Sequence, residues 1–245
     1  MFRAHQKLER HSILFLLVLT FAASVGGIVE IVPLFTIEET VETAEGLRPY
    51  TPLELAGRDI YIREGCNTCH SQMIRTLKDD IDRYGDYSLA AESKYDRPFL
   101  WGSKRTGPDL ARIGGKYSDE WHVRHMIDPR SVVPQSIMPG YPFLATTPLE
   151  VPGLLHRLEA LRALGVPYSS TQLREAERDL HAQAENAPDE EEALRARYDE
   201  RLNIRDFDGD PARVTEMDAL VAYLQMLGTL VDVESWREEQ FGDGE

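Results

Sequence analysis

The first long pattern in the chain is a run of apolar residues near its N-terminus. The stretch from Ser12 to Val29 contains no charged residue, and the apolar character resumes after Glu30 and continues to Ile37. A helix over residues 12–37 would be about 39 Å long, whereas the hydrocarbon core of a bilayer is about 30 Å thick. The pattern therefore predicts a transmembrane anchor at 12–37, preceded by a short N-terminal segment, residues 1–11.

A cleaved signal peptide is the alternative interpretation of this segment. Arg3, Lys7 and Arg10 form a basic leader, and Ala22-Ala23-Ser24 offers small residues for cleavage. The apolar stretch is too long for a signal peptide and continues past that point, so we favour an uncleaved anchor. Basic residues before the span place the N-terminus in the cytoplasm and the rest of the chain outside.

The remainder of the chain divides into a tether, a domain and a tail. Residues 38–52 are polar with two prolines, which predicts a tether. A helical domain at 53–231 follows, and residues 232–245 are interpreted as an acidic C-terminal tail. Two insertions enlarge the domain, one at about 71–105 and one at about 145–211.

Two amphipathic helices frame the domain. Apolar positions recur with helical spacing in residues 53–65, and a second helix begins with a capping residue in residues 215–227. The small residue Gly57 would let the two helices cross closely, with Tyr61 and Tyr223 packed about the contact.

The two insertions differ in composition and periodicity. In the first, Phe99 and Trp101 are predicted to be exposed, which suits either a docking surface for another protein or a loop that covers part of this chain's own domain. In the second, residues 150–164 and 170–202 combine helical periodicity with dense charge and predict an amphipathic helical excursion, of which a coiled hairpin is one possible form. The FDGDP segment at 207–211 is similar to part of a calcium loop, but it lacks the other ligand positions of an EF-hand, which favours a turn.

The chain is acidic, with a formal net charge of −15 at pH 7. This charge argues against nucleic acid as a partner, because phosphates repel an acidic surface. It suits either solubility or an encounter with a basic protein surface.

Candidate chemistry is concentrated in one pentapeptide, Cys66-Asn67-Thr68-Cys69-His70. The two thiols can each add to one vinyl group of a haem, and His70 is then held under the iron as the proximal ligand. A disulfide, a redox dithiol or half of a zinc site would use the same cysteines. These are the only two cysteines, and no second Cys/His pair completes a zinc site. The pattern therefore favours one covalently bound haem c.

Met138 is the candidate for the second axial ligand. The proline that follows it disfavours a helix and leaves the sulfur free to point inward, and His/Met ligation is usual for high-potential haem c. His122 and His125 are the rivals, since a second imidazole would also saturate the iron, but their helical placement favours surface or haem-rim packing. The other methionines considered are interpreted as proximal or core residues: Met73, Met126, Met217 and Met226. A sixth protein ligand would keep oxygen from the iron, so the haem would only carry electrons.

Three motifs in chain order carry a resemblance to a known family. The CNTCH motif, the TGPDL segment at 106–110 and Met138-Pro139 are similar to the attachment site, the proximal loop and the distal-ligand loop of class I cytochromes c. Longer segments resemble the monohaem membrane-anchored subunit of cbb3-type cytochrome c oxidases: GIVEIVPLF, CNTCHSQMIR, RYGDYSLAAE, DRPFLWGSKRTGPDLARIGGKYSDEWH and TEMDALVAYLQMLGT. The resemblance extends to about Val231, and it departs from the family at Thr76 and Ile137, where proline and asparagine are expected.

The resemblance implies a fold and a set of site residues. The fold is mostly α, with one N-terminal transmembrane helix followed by a class I cytochrome c-like helical domain with two insertions. By the same resemblance, the carbonyl of Pro108 orients His70. The run Gly102–Arg105 would lie near the propionates of b-type haems in a catalytic subunit, where a calcium ion bridges the two subunits and Ser103 contributes to it. Lys104 and Arg105 could instead be merely solvated.

The resemblance also implies a function and partners. The chain would be a non-catalytic electron-transfer subunit of a proton-pumping haem-copper terminal oxidase in the bacterial inner membrane, with its haem domain in the periplasm. Electrons would arrive from a multihaem cytochrome c subunit or a soluble or anchored cytochrome c donor. They would pass to the catalytic membrane subunit, where oxygen is reduced to water. The alternatives are a free-standing membrane-tethered cytochrome c shuttle and an open-site haem sensor or peroxidase.

Overall fold

The described part of the chain is helical. A computed structural model describes residues 5–6, 9–36, 44, 46–102, 104–151, 153–185 and 187–242. Within these ranges there is no β-strand, only an isolated bridge between Pro148 and Thr215. The helices in chain order are α1 Ser12–Thr36, α2 Pro52–Arg63, α3 Cys66–Cys69, α4 Lys78–Tyr84, α5 Asp119–Ile127, α6 Pro129–Val132, α7 Leu154–Ala163, α8 Ser170–Arg174, α9 Ala176–Ala184, α10 Pro188–Arg197, α11 Glu216–Met226 and α12 Val233–Phe241. The predicted mostly α fold class is confirmed.

The chain divides into two compact units, residues 1–43 and 44–245. The first contains α1, in which the span Ser12–Pro33 is long and apolar enough to cross a membrane by length and composition. The side chains of this span are not buried against the rest of the chain. Ile37, the last residue of the predicted anchor, lies outside the described residues.

In the second unit, α2 and α11 cross as predicted. The hydroxyl of Thr51 caps α2, and the hydroxyl of Thr215 caps α11. A Cβ added to Gly57 would overlap the carbonyl oxygen of Ala219 and lie 2.8 Å from the Cβ of Tyr223, so only glycine permits this approach. The rings of Tyr61 and Tyr223 pack beside the crossing with centroids 5.5 Å apart.

The packed domain begins earlier than the predicted tether boundary. The Arg48 guanidinium donates two hydrogen bonds of 2.6 and 2.7 Å to the carboxylate of Glu54. Tyr50 is buried, and its hydroxyl donates to Asp96 at 2.7 Å. The last residues assigned to the tether are therefore part of the domain, because their aromatic and ionic partners lie inside it. Residues 37–43 and 45 lie outside the described ranges.

The second insertion is helical, as predicted, but it does not take the form of a coiled hairpin. It forms the four short helices α7 to α10, because Gly165 and Pro167 end the first helical stretch and Pro188 starts a new one. The insertion packs into the main core through Leu158 and Leu180. The FDGDP segment is a turn, as predicted. Its Asp208 and the preceding Asp206 lie near the buried Asp218, whose carboxylate accepts backbone hydrogen bonds from residues 207 and 208.

The C-terminal segment is also more structured than predicted. Residues of the supposed acidic tail form α12, which Asp232 caps with its carboxylate. Trp236 is 5% exposed and packs with Leu89, Ala91 and Val233 in a second apolar cluster. The acidic residues Glu234 and Glu238 lie on the exposed face of this helix. Residues 243–245 lie outside the described ranges.

Candidate haem-attachment site

The two cysteines lie on one short helical turn directly after α2. Gly65 adopts a positive φ of 71° between α2 and α3, a conformation that glycine reaches without steric cost. Cys66 is half-buried and Cys69 is exposed, and both are free thiols. Burial raises the pKa of the Cys66 thiol to about 11, so it is protonated at neutral pH.

His70 is held in one orientation by the loop opposite. Its Nδ1 lies 2.8 Å from the carbonyl oxygen of Pro108. Because a carbonyl can only accept, Nδ1 carries the proton and the lone pair is on Nε2. The imidazole packs flat on Gly107, where an added Cβ would lie 2.7 Å from Nδ1 and 2.8 Å from Nε2. The geometry leaves Nε2 as the nitrogen that can bind a metal.

The loop that carries Pro108 is hydrogen-bonded to the backbone on both sides of His70. Gly107 donates its backbone N–H to the carbonyl of Cys69 at 3.0 Å, and Leu110 donates to the carbonyl of Ser71 at 2.9 Å. The TGPDL loop is thereby fixed against the attachment motif at both ends.

Met138 lies half-buried in the irregular segment that follows α6. It packs against the same core as Cys66 and Tyr141. Burial raises the pKa of Tyr141. Met138, Cys66 and Tyr141 therefore border the same apolar core.

His122 and His125 are not surface residues. His122 is 2% exposed, and its ring contacts Tyr117 and Trp121 edge-on. His125 is half-buried and stacks on Trp121 with centroids 4.7 Å apart. The surface alternative is therefore wrong for both, because the face of α5 that carries them is turned inward.

These two histidines each leave a buried ring nitrogen without a partner in the protein: Nε2 of His122 and Nδ1 of His125. Such atoms are few in native proteins and call for a group that the chain itself does not supply. Burial lowers the pKa of His125, and the nearby His70 acts in the same direction. Buried ring nitrogens without a protein partner in α5 fit the binding of a further group beside this helix.

The remaining methionines pack as predicted. Met217 and Met226 are buried in α11, and Met126 is buried in α5. All three belong to the main core.

Arg105 is partly buried and ion-paired within the chain. Its guanidinium donates to both carboxylate oxygens of Asp80, at 2.8 and 2.9 Å. Lys104 is exposed, as predicted for a solvated residue. Ser103, named above as a contributor to a calcium site, lies outside the described residues.

Phe99 and Trp101 form an exposed aromatic pair. Their rings stack with centroids 4.9 Å apart and are 53% and 40% exposed. The indole N–H of Trp101 donates to the hydroxyl of Ser93 at 3.0 Å, which fixes the ring in place. The pair is a rigid apolar surface of the kind that binds another protein.

Asp109 is the residue of this site that sequence reasoning missed. Its carboxylate accepts hydrogen bonds from Ser71 and Met73, which follow His70, and from Ala111, which follows the TGPDL loop. The only signal in the sequence is an aspartate directly after Pro108. This signal is weak, because an aspartate in a turn is usually exposed.

The comparison with protein families agrees with this geometry. Residues 5–231 match the family model described as cytochrome c oxidase, mono-heme subunit/FixO. Among proteins of curated function, none matches the chain. The match includes α1, the attachment motif, the loops of Pro108 and Met138, and α11. The chain therefore belongs to the FixO family of mono-haem subunits of cytochrome c oxidase, whose members are anchored in a membrane.

Proposed function

We propose that this chain relays electrons into the catalytic subunit of a cbb3-type oxidase through a single haem c. The thiols of Cys66 and Cys69 attach the haem, Nε2 of His70 binds the iron on one face, and the sulfur of Met138 binds it on the other. The observation that carries the proposal is the 2.8 Å contact between His70 Nδ1 and Pro108 O, which leaves Nε2 for the iron. Family membership supports the same reading.

The bound haem c supplies a one-electron redox centre. The chain provides its orientation, its axial ligands and its apolar surroundings. With both axial positions taken by side chains, the iron has no site for oxygen, and the protein performs no bond chemistry itself. The potential is set by the ligands, their hydrogen bonds and the dielectric around them.

The route of the electrons follows from the proposed assembly. A multihaem cytochrome c subunit, or a soluble or anchored cytochrome c donor, would supply the electrons. A haem c held by Cys66, Cys69, His70 and Met138 would pass them to the b-type haems of the catalytic haem-copper subunit, where oxygen would become water and protons would be pumped. The exposed Phe99–Trp101 pair supports docking on that subunit, and the calcium ion at the shared interface remains a prediction.

The same proposal places the haem domain on the periplasmic side of the bacterial inner membrane. The basic residues before α1 support a cytoplasmic N-terminus. Covalent haem c is attached on the periplasmic side, so the topology and the chemistry agree.

Rapid reduction of the detergent-solubilised complex tests the relay. A reduced cytochrome c donor is mixed with complex that carries wild-type subunit or the double variant Cys66→Ala/Cys69→Ala, and the b-haem bands are followed. The proposal expects donor-driven reduction of the b haems to be lost in the variant, while dithionite still reduces them. Reduction by the donor at the wild-type rate would contradict the proposal. Failure of the wild-type subunit to copurify with a b-haem subunit would favour the free-standing shuttle instead.

A further inference from the structure

The carboxylate of Asp109 is buried directly behind the loop that holds His70. Its side chain is 0% exposed. One oxygen accepts from the Ser71 hydroxyl at 2.6 Å and from the Met73 backbone N–H at 2.9 Å, and the other accepts from the Ala111 backbone N–H at 2.8 Å. The carboxylate therefore joins the segment after His70 to the segment after Pro108.

This position controls the orientation of one carbonyl group. The peptide between Pro108 and Asp109 is planar, and it carries the oxygen that accepts from His70 Nδ1. The rotation of this peptide is set by ψ of Pro108 and φ of Asp109. The ring of Pro108 restricts the conformation of its own residue, and the anchored side chain of Asp109 restricts φ on the other side of the peptide. These restraints together keep the carbonyl directed at the imidazole.

Arg105 binds the residues that surround the Asp109 carboxylate. Its Nε donates to the Ser71 hydroxyl at 2.7 Å, and one terminal nitrogen donates to the carbonyl of Met73 at 2.9 Å. The same guanidinium pairs with Asp80 and lies 3.5 Å from the Asp109 carboxylate. The guanidinium of Arg105 thus offsets the buried negative charge of Asp109. It also fixes Ser71 and Met73, the two residues that donate hydrogen bonds to one oxygen of that carboxylate.

We propose that Asp109 is a positioning residue for the haem iron. It keeps the Pro108 carbonyl aligned with the Nδ1–H of His70 and thereby sets the strength of that hydrogen bond. A strong acceptor at Nδ1 makes the imidazole a more basic ligand, which favours ferric over ferrous iron. Loosening the anchor weakens the bond and raises the reduction potential. The inference rests on the proposed haem ligation by His70.

The test uses the full-length, haem-loaded chain in detergent and two readouts. One is the midpoint potential of the haem, and the other is the solvent exchange rate of the His70 Nδ1 proton in the reduced protein, measured by NMR. Asp109→Asn removes the charge and mismatches the donors. Ser71→Ala breaks one bond to Asp109 and leaves the charge intact. Asp80→Asn is the matched control, because it removes one negative charge from the same ion-pair network and has no bond to residues 107–111.

We expect the Nδ1 proton of Asp109→Asn to exchange about tenfold faster, the factor given by a loss of about 1.4 kcal/mol from the hydrogen bond. The potential of this variant should rise more than that of Asp80→Asn. Ser71→Ala should change both readouts in the same direction by less. Asp80→Asn acts on the Asp109 carboxylate only through Arg105 and should change the exchange rate least of the three. If Asp109→Asn does not fold, the charge-neutral variant Ser71→Ala decides the question by the same two readouts.

The inference is overturned if Asp109→Asn and Ser71→Ala keep the wild-type exchange rate, or if the potential of Asp109→Asn changes no more than that of Asp80→Asn. In the second case Asp109 acts only through its charge. Failure of the proposed function is a different result, because wild-type protein would then lack haem or lack ligation by His70. Both conditions are visible in the wild-type spectra before any variant is compared.

Discussion

Gly57 lies directly against the carbonyl group of Ala219 where α2 crosses α11. An added Cβ would lie 2.6 Å from the carbonyl carbon of Ala219 and closer still to its oxygen. The obstacle is backbone, which cannot rotate aside as a long side chain can. The close approach of the two helices therefore depends on the absence of a side chain at position 57.

Gly57→Ala should destabilise the domain by about 3 kcal/mol, because the two helices must separate to admit the methyl group. Chemical unfolding of the haem-loaded chain, followed by tryptophan fluorescence, measures the change. Gly26→Ala is the matched control, since an added Cβ there meets nothing within 4 Å in this chain. Equal stability of the Gly57→Ala variant and wild type would show that the crossing is looser than described.

The stability of the domain should fall as the pH drops from about 6.5 to about 4. Burial lowers the pKa of His122 to about 4, so the unfolded chain binds a proton in this range and the folded chain does not. The contribution of this residue is complete above the unfolded pKa and is lost as the pH falls towards 4. Its size is on the order of 3 kcal/mol at most.

His122→Gln tests this pH dependence. Unfolding free energies at pH 7 and pH 4.5 should differ less in the variant than in wild type, because the titrating group is gone. His156→Gln is the control, as the His156 side chain is 87% exposed. A variant that kept the full wild-type pH dependence would assign the effect to other groups.

Trp236→Ala should lower the unfolding free energy by about 3–5 kcal/mol, the usual cost of removing a buried tryptophan. The indole fills the cluster with Leu89 and Val233, so its loss leaves a cavity under α12. Trp101→Ala removes an exposed ring and should cost about 0.5 kcal/mol. Equal effects in the two variants would mean that α12 does not pack on the domain.

The double variant Phe99→Ala/Trp101→Ala should weaken binding to the catalytic subunit about 30-fold, the effect of losing an interface hot spot of about 2 kcal/mol. Affinity is measured by titrating detergent-solubilised subunit into catalytic subunit that lacks it. Leu155→Ala/Leu164→Ala removes two other exposed apolar side chains and serves as the control. If only the control weakened binding, the docking surface would lie on the second insertion.

The crossing helices and the attachment motif could be predicted from the sequence because their signals are local. The cap at Thr215, the small Gly57 and the CNTCH spacing each lie within one element. The role of Asp109 could not be predicted, because it arises where residues 71–73 meet residues 105–111. A pairing of two loops has no periodicity to detect.

Other differences have physical reasons of their own. Two histidines three residues apart share a face of α5, but spacing does not reveal whether that face is buried. Residues 232–245 are acidic on average, and this composition predicts a solvated tail. The burial of the single residue Trp236 is enough to pack the segment on the domain, and an average over the segment does not reveal it. In the second insertion the helices break at Gly165, Pro167 and Pro188, and helical periodicity on either side of a break does not reveal how the flanking helices pack.

The central claim is that side chains of this chain occupy both axial positions of the iron. Its most direct test is exposure of the reduced, haem-loaded chain to carbon monoxide, with absorption spectra of wild type, Met138→Ala and His122→Ala. The account predicts no spectral change in wild type or His122→Ala, and formation of the carbon monoxide complex in Met138→Ala. Binding of carbon monoxide to undamaged wild type, or its absence in Met138→Ala, would contradict the account.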